Sequence, residues 1–333
     1  MLTFKNLLLT KANWAFGMTF LKIAFASLLT SFTSLAPLAL FAPLGLLASP
    51  ALSSSPLHAG VSINQHTLST PIYCDAVASN NNGQEKSITA VDKHRYKVVK
   101  LHPHRQQAFT QGLVYDKGIL YESTGQYGQS RLEKIDLTSG EVLARHFLDK
   151  TIFAEGLTLF NKQLIQLSWK SGQVFRYGEK QLKPLAGAKI QGEGWGITHN
   201  GKNLITSDGS NQIHFRDPET LATVKTLAVR YGQRPLKSLN ELEWINGCVL
   251  ANVWQTPTIA VINPSTGYVT GTIDLAPLQQ HAQRKQTQHQ QGKIESDKPK
   301  VDVANGIAFI PQNGHLLVTG KYWPFVYELK IID

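Results

Sequence analysis

Leu113-Val114-Tyr115-Asp116-Lys117-Gly118-Ile119-Leu120-Tyr121 reads as two short apolar runs folded back on each other by a tight Asp-Lys-Gly turn. The figure returns along the chain. Thr198 is followed by a turn at His199-Asn200-Gly201 and the run Leu204–Thr206, and Trp244 by a turn at Asn246-Gly247 and Val249–Leu250. A third strand comes next, as at Leu132–Ile135 or Ile259–Ile262. A second turn, Asp136-Leu137-Thr138-Ser139-Gly140 or Asn263-Pro264-Ser265-Thr266-Gly267, then leads into a last strand. Units of this kind start at Leu113, Leu157, Ile197, Leu242 and Ile307, at intervals of 44, 40, 45 and 65 residues. The last interval holds a 22-residue polar stretch, 279–300, without which it is 43. Four strands in ~40–45 residues make one propeller blade. The expectation is therefore an all-β, five-bladed β-propeller. Its fifth blade takes three strands from Ile307–Ile331 and the fourth from Tyr96–Leu101, so that an N-terminal strand closes the ring. A β-sandwich with coincidental spacing is the alternative.

With 42% hydrophobic and 17% charged residues, the 333-residue chain is not a disordered one. Two cysteines, Cys74 and Cys248, exclude a disulfide scaffold and a cysteine-based zinc site; a single disulfide and two buried thiols both remain open. The net charge of +10 invites a nucleic-acid or membrane reading, but it is unevenly placed. Three of the ten charges are Lys5, Lys11 and Lys22, and three belong to 279–300, leaving a nearly balanced remainder. No nucleic-acid partner is expected. A basic start, the apolar run Ile23–Ala48 and small residues at Ala48, Ala51 and Ala59 read as a secretory signal, with an uncleaved N-terminal anchor as the alternative. The expected organisation is a signal segment or anchor over 1–60, a polar lead-in over 61–95 and the propeller over 96–333. The glutamine-rich stretch 279–300 is read as a solvated insertion. The expected location is exported, periplasmic or secreted, and a monomer is expected.

Strand direction then predicts a site. The first two strands of each unit are antiparallel, so whatever precedes the first and follows the second lies at one end of the ring. The preceding set is Phe109 and Gln111, Phe153 and Glu155, Trp195, Asn240 and Glu241, and Asn305. The following set is Thr124–Gln126, Trp169 and Lys170, Ser207–Ser210, Trp254 and Gln255, and Lys321–Trp323. Three tryptophans, a carboxylate, an ammonium and amides at one mouth are more than turn-making requires. Other chemistries lack their residues. His102 and His104, the only close histidine pair, are expected to be exposed at a strand end rather than metal-bound. No phosphate-binding glycine loop or nucleophile elbow is present, and Gly192-Glu193-Gly194-Trp195-Gly196 enters a strand rather than a helix.

At these positions the sequence resembles the glutamine cyclotransferase family, the plant-type glutaminyl-peptide cyclotransferases also found in bacteria. The resemblance rests on Phe109-Thr110-Gln111-Gly112-Leu113, Phe153-Ala154-Glu155-Gly156-Leu157-Thr158, Gly194-Trp195-Gly196 and Ser207-Asp208-Gly209-Ser210. It continues through Asn240-Glu241-Leu242-Glu243, Asn252-Val253-Trp254, Asp302 to Ala308 and Thr319-Gly320-Lys321-Tyr322-Trp323-Pro324. Ala154, where the family pattern has glycine, and the insertion before Asp302 depart from it. The resemblance implies a five-bladed propeller that acts on peptides or proteins with N-terminal glutamine, forming pyroglutamate and releasing ammonia without cofactor or metal. On this reading Glu155 moves the proton from the attacking amine to the leaving ammonia, with its pKa raised by burial. Lys321 and Asn240 stabilise the oxyanion or orient the amide, and Gln111 positions the same group. Trp169, Trp195 and Trp254, with Phe109 and Phe153, form the apolar box around the glutamine side chain. The competing readings are a Glu155–Lys321 salt bridge that only rigidifies the channel, a non-enzymatic propeller binding peptide or glycan, and a metal-dependent lactonase-like propeller.

Overall fold

The tight turns fix where the strands fold back. Lys117 and Gly118, Asn161 and Lys162, and Asn246 and Gly247 all have positive φ at both central positions. That left-handed pair matches the twist of a two-residue hairpin. The second turns share another device: Asp136 Oδ1 accepts the Thr138 and Ser139 amides, Asp217 Oδ1 those of Glu219 and Thr220, and Asn263 Oδ1 those of Ser265 and Thr266.

The computed structural model describes residues 72–74, 91–290 and 299–332. The segment 1–60 and most of the lead-in 61–95 lie outside these. Strand β1 (Asp92–Pro103) comes first. The first sheet is β2 (Thr110–Asp116), β3 (Ile119–Thr124), β4 (Arg131–Asp136) and β5 (Val142–Phe147). The second is β6 (Ala154–Phe160), β7 (Gln163–Ser168) and β8 (Gln173–Gly178), with the short β9 (Lys183–Pro184) and β10 (Ala188–Lys189) on its outer edge. The third is β11 (Ile197–His199), β12 (Leu204–Ser207), β13 (Gln212–Arg216) and β14 (Thr223–Ala228), followed by the small hairpin β15 (Arg230–Tyr231) and β16 (Arg234–Pro235). The fourth is β17 (Leu239–Ile245), β18 (Cys248–Val253), β19 (Thr258–Ile262) and β20 (Val269–Asp274). Helix α1 (Ala276–Gln290) then leads to β21 (Ala304–Ile310), β22 (His315–Gly320) and β23 (Phe325–Ile332).

β1 runs antiparallel to β23 from Arg95↔Ile332 to Pro103↔Phe325, while Asp92–His94 pair in parallel with Gly271–Ile273 of β20. The strand thus completes the last sheet and stitches it to the fourth. The innermost strands touch in cyclic order, β2 to β6, β6 to β11, β11 to β17, β17 to β21 and β21 to β2. Among the described residues, five apolar clusters fill the gaps between consecutive sheets. Tyr121 and Leu164 lie in the first gap, Ile165 and Leu204 in the second, Ile205 and Val249 in the third, Leu250 and Leu316 in the fourth, and Leu317 and Leu120 in the last.

Three expectations are corrected and one open alternative is decided. Strand pairing starts at Asp92 rather than Tyr96, and Ile72 is fully buried in the core, so part of the lead-in is tied down. Cys74 and Cys248 form a disulfide with Cα atoms 5.3 Å apart. The stretch 279–300 is not wholly solvated, and the fold is nearly but not entirely β. Its first half continues α1, whose Leu278 and Ala282 enter the core one turn apart while the Gln286 amide bonds Pro299 O and Val301 N. The side chains of His102 and His104 are buried rather than exposed, paired with Glu328 at 2.9 Å and Glu122 at 2.8 Å.

Candidate active site

The predicted convergence of the two sets is visible in backbone bonds. Gly125 N donates to Phe109 O, Trp169 N to Phe153 O, Trp195 N to Ser207 O, Trp254 N to Ser238 O and Lys321 N to Val303 O. Each clasps the lead into a first strand to the exit from a second, so all these segments meet at one mouth. On four of the five inner strands, pairing is irregular at this point, between Thr110 and Gly112, Ala154 and Leu157, Leu239 and Leu242, and Ala304 and Ile307. Such bulges re-aim side chains, and Gln111, Glu155, Asn240 and Asn305 all lie inside them. Gln126, Gln255 and Tyr322, on the exits, have φ of 92°, 66° and 63°, a strained left-handed backbone concentrated at the same mouth.

The cavity there has a volume of about 360 Å³. Phe109, Gln111, Phe153, Glu155, Trp169, Trp195, Asn240, Trp254 and Lys321 all line it, together with Gln126. Trp323 does not: it is fully buried in the core, its indole edge-on to Tyr327 and its Nε1 donating to Asp302 O. The walls are aromatic rings set edge to face, Phe109 to Phe153, Phe153 to Trp169 and Trp195 to Trp254.

Glu155 is 5% exposed and, among the described residues, has one side-chain hydrogen-bond partner, the Gln111 Nε2 that donates to its Oε1 at 2.7 Å. Gln111 is held in turn by Asn305, whose Nδ2 donates to Gln111 Oε1 at 3.1 Å and to Thr110 O. This fixes which end of the Gln111 amide faces the carboxylate. Burial pushes the Glu155 carboxyl well above its ordinary range and the nearby Glu193 adds to this, while Lys321 and the Gln111 bond oppose it. Burial likewise lowers the Lys321 ammonium, against the pull of Glu155 and Asp302. Lys321 Nζ stands 4.3 Å over the Phe109 ring, and among the described residues no ion pair within 4.0 Å joins it to Glu155. The rigidifying salt bridge is therefore not formed. Asn240 lines the cavity and is buried, and among the described residues its Oδ1 has no hydrogen-bond partner.

Of the layer that supports the cavity, the sequence reading had only Ser207 and missed Glu193 and Ser123. Glu193 Oε2 accepts both the Trp169 indole N–H, at 2.8 Å, and the Trp195 indole N–H, at 3.0 Å, and so locks two walls of the cavity with one carboxylate. Ser123 Oγ donates to Glu155 O, and Ser207 Oγ donates to Asn240 O at 2.7 Å. Serines at the ends of second strands thus fix the bulges of the next sheet.

The sequence profile of the glutamine cyclotransferase family matches residues 70–331. The chain belongs to the glutamine cyclotransferase family. Among its relatives is a glutaminyl-peptide cyclotransferase from Arabidopsis thaliana, 38% identical over 269 residues that cover 79% of this chain and 81% of the plant protein. The crystal structure of Myxococcus xanthus glutaminyl cyclase is similar at a TM-score of 0.63 and 32% identity, covering 73% of this chain and all of that one. The match embraces every residue of the cavity, so this member carries its whole candidate site within the family region.

Proposed function

We propose that this cyclotransferase converts N-terminal glutaminyl residues of peptides or proteins to pyroglutamate and ammonia, with Glu155 as the single proton-transfer group. The observation that carries the proposal is a buried carboxylate with one amide partner in an otherwise aromatic cavity. An α-ammonium entering beside it gives up its proton readily, because burial favours neutral Glu155 and neutral amine over a separated ion pair. The amine nitrogen then attacks the δ-carbonyl carbon and the new C–N bond forms as the C=O pair moves onto oxygen. Glu155 delivers the proton to the amide nitrogen, the oxygen pair re-forms the C=O as the old C–N bond breaks and ammonia leaves, and the freed carboxylate takes the second proton from the ring nitrogen, which ends as the lactam N–H. Atoms balance without cofactor or water. Lys321 and Asn240 are assigned to the developing oxyanion and to orienting the amide, and Gln111 to aiming the carboxylate. The rings of Phe109, Phe153, Trp169, Trp195 and Trp254 hold the side chain curled and exclude water, so that cyclisation outruns hydrolysis.

The same proposal reads the five sheets as the blades of a β-propeller closed by β1, supported by the cyclic contacts of the inner strands. It places the protein outside the cytoplasm, supported by the apolar N-terminal run and by the Cys74–Cys248 disulfide, and takes it as a monomer. N-terminal sequencing of the exported protein and its mass by light scattering check these points. For the activity, the assay is ammonia release from a glutaminyl peptide with and without chelator. Equal release in both arms is expected. No release transfers the site to the peptide- or glycan-binding reading, and release lost with chelator to a metal-dependent one.

A further inference from the structure

The five inner strands repeat one step past the mouth: Gln111-Gly112, Glu155-Gly156, Trp195-Gly196, Asn240-Glu241 and Asn305-Gly306. Four of the five second positions are glycine, and three of these have no room for more. A Cβ on Gly112 would lie 2.3 Å from Leu157 N, on Gly156 2.5 Å from Trp195 O, and on Gly196 2.0 Å from Asn240 O. From β2 round to β17, neighbouring inner strands thus close backbone against backbone. The fourth position breaks the pattern with a buried glutamate, 1% exposed. Its Oε2 accepts Ile307 N on the next strand at 2.8 Å, and its Oε1 accepts Leu113 N across the ring at 3.2 Å. Leu113 is two residues beyond Gln111, Ile307 two beyond Asn305, and Glu241 itself follows Asn240.

We infer that Glu241 is a positioning residue for the cyclisation proposed above, a brace that sets the strands bearing Asn240, Gln111 and Asn305 relative to one another and so aims the Gln111 amide at Glu155. It touches no part of the cavity. Its action runs through two backbone N–H groups that lose their partner when the carboxylate goes. Glu243, two residues on and on the same strand face, is the internal control. It is a half-buried glutamate in contact with neighbouring strands, accepting Phe309 N at 3.0 Å and Thr198 Oγ1 at 3.4 Å, but those partners lie further along the strands, away from the mouth.

The test is steady-state cyclisation of a glutaminyl peptide by the full chain carrying Glu241→Gln or Glu243→Gln, with Tm measured for each. Glutamine at 241 keeps one acceptor and turns an NH₂ toward the other backbone N–H. The expected result is a kcat reduced about 10- to 100-fold by E241Q with KM little changed, the scale of a small misplacement of reacting groups, against near-wild-type kcat for E243Q. In a Gln111→Ala background the E241Q effect should shrink, because its target is already gone. Should E241Q not fold, Glu241→Asp, with both acceptors on a shorter arm, is read the same way. Wild-type kcat in E241Q or E241D, equal losses in E241Q and E243Q, or full additivity with Gln111→Ala overturns the inference. Wild-type turnover in the same assay tests the cyclisation reading separately, so the two cannot fail indistinguishably.

Discussion

Glu155 and Glu241 occupy the mouth and the interior of the same ring, one residue out of phase within the repeat, and both are buried. Their surroundings differ. Both oxygens of Glu241 accept backbone N–H groups, whereas Glu155 has one side-chain donor and faces a cavity. Burial raises both, yet only at the mouth is a proton partner able to arrive. Depth therefore does not mark the reactive group; an incomplete hydrogen-bond shell opening on a cavity does.

The comparison breaks most visibly at Glu155. Replacing it by glutamine keeps size and the Gln111 contact region but removes the proton carrier, and kcat for ammonia release should fall about 10²- to 10⁴-fold. Asn240→Ala, which removes a polar group at the mouth without touching the carboxylate, should lower kcat about 10²- to 10³-fold in the same assay. At Glu243 the expected consequence is stability rather than rate. Glu243 is pushed up to about 8 by burial, so the folded state holds its proton while the unfolded chain, at the ordinary value, loses it near 4.5. The stability this group supports is complete below about 4.5 and is lost as pH rises to about 8. Calorimetric Tm of wild type should accordingly fall relative to E243Q between pH 5 and pH 8, where each 1 kcal/mol is worth about 2–4 °C for a domain of about 150–250 residues. The smallest effect belongs to Glu193. Its charge raises Glu155, so Glu193→Gln should move the acid limb of kcat to lower pH, measured from the pH–rate profile.

Much of this contrast was legible before any coordinates. Turn pairs such as Asn246-Gly247 act over two residues, so hairpins and their spacing can be read directly, and antiparallel direction then gathers the mouth residues without knowledge of the ring. What escaped depends on contacts between distant segments. The Cys74–Cys248 bond joins positions 174 residues apart. Glu193 looked like part of a glycine-rich entry to a strand, because its meaning lies in two indoles that meet only in space. Trp323 follows Tyr322, whose positive φ and whose bond from N to Ala108 O turn the chain, so the indole folds under Gly320 instead of facing the cavity. In α1 the helical signal was Leu278 and Ala282 alone, too thin to stand out among glutamines.

Chemical rescue addresses the central claim, that Glu155 carries the proton and is not merely part of the wall. Pyroglutamate formation by Glu155→Ala is measured with and without added formate, a carboxylate small enough for the cavity. Formate-dependent recovery, saturating with concentration and absent for Asn240→Ala, is the predicted result. If E155A cyclises at the wild-type rate without formate, or binds the peptide normally yet stays inert at every formate concentration, Glu155 is not the proton carrier.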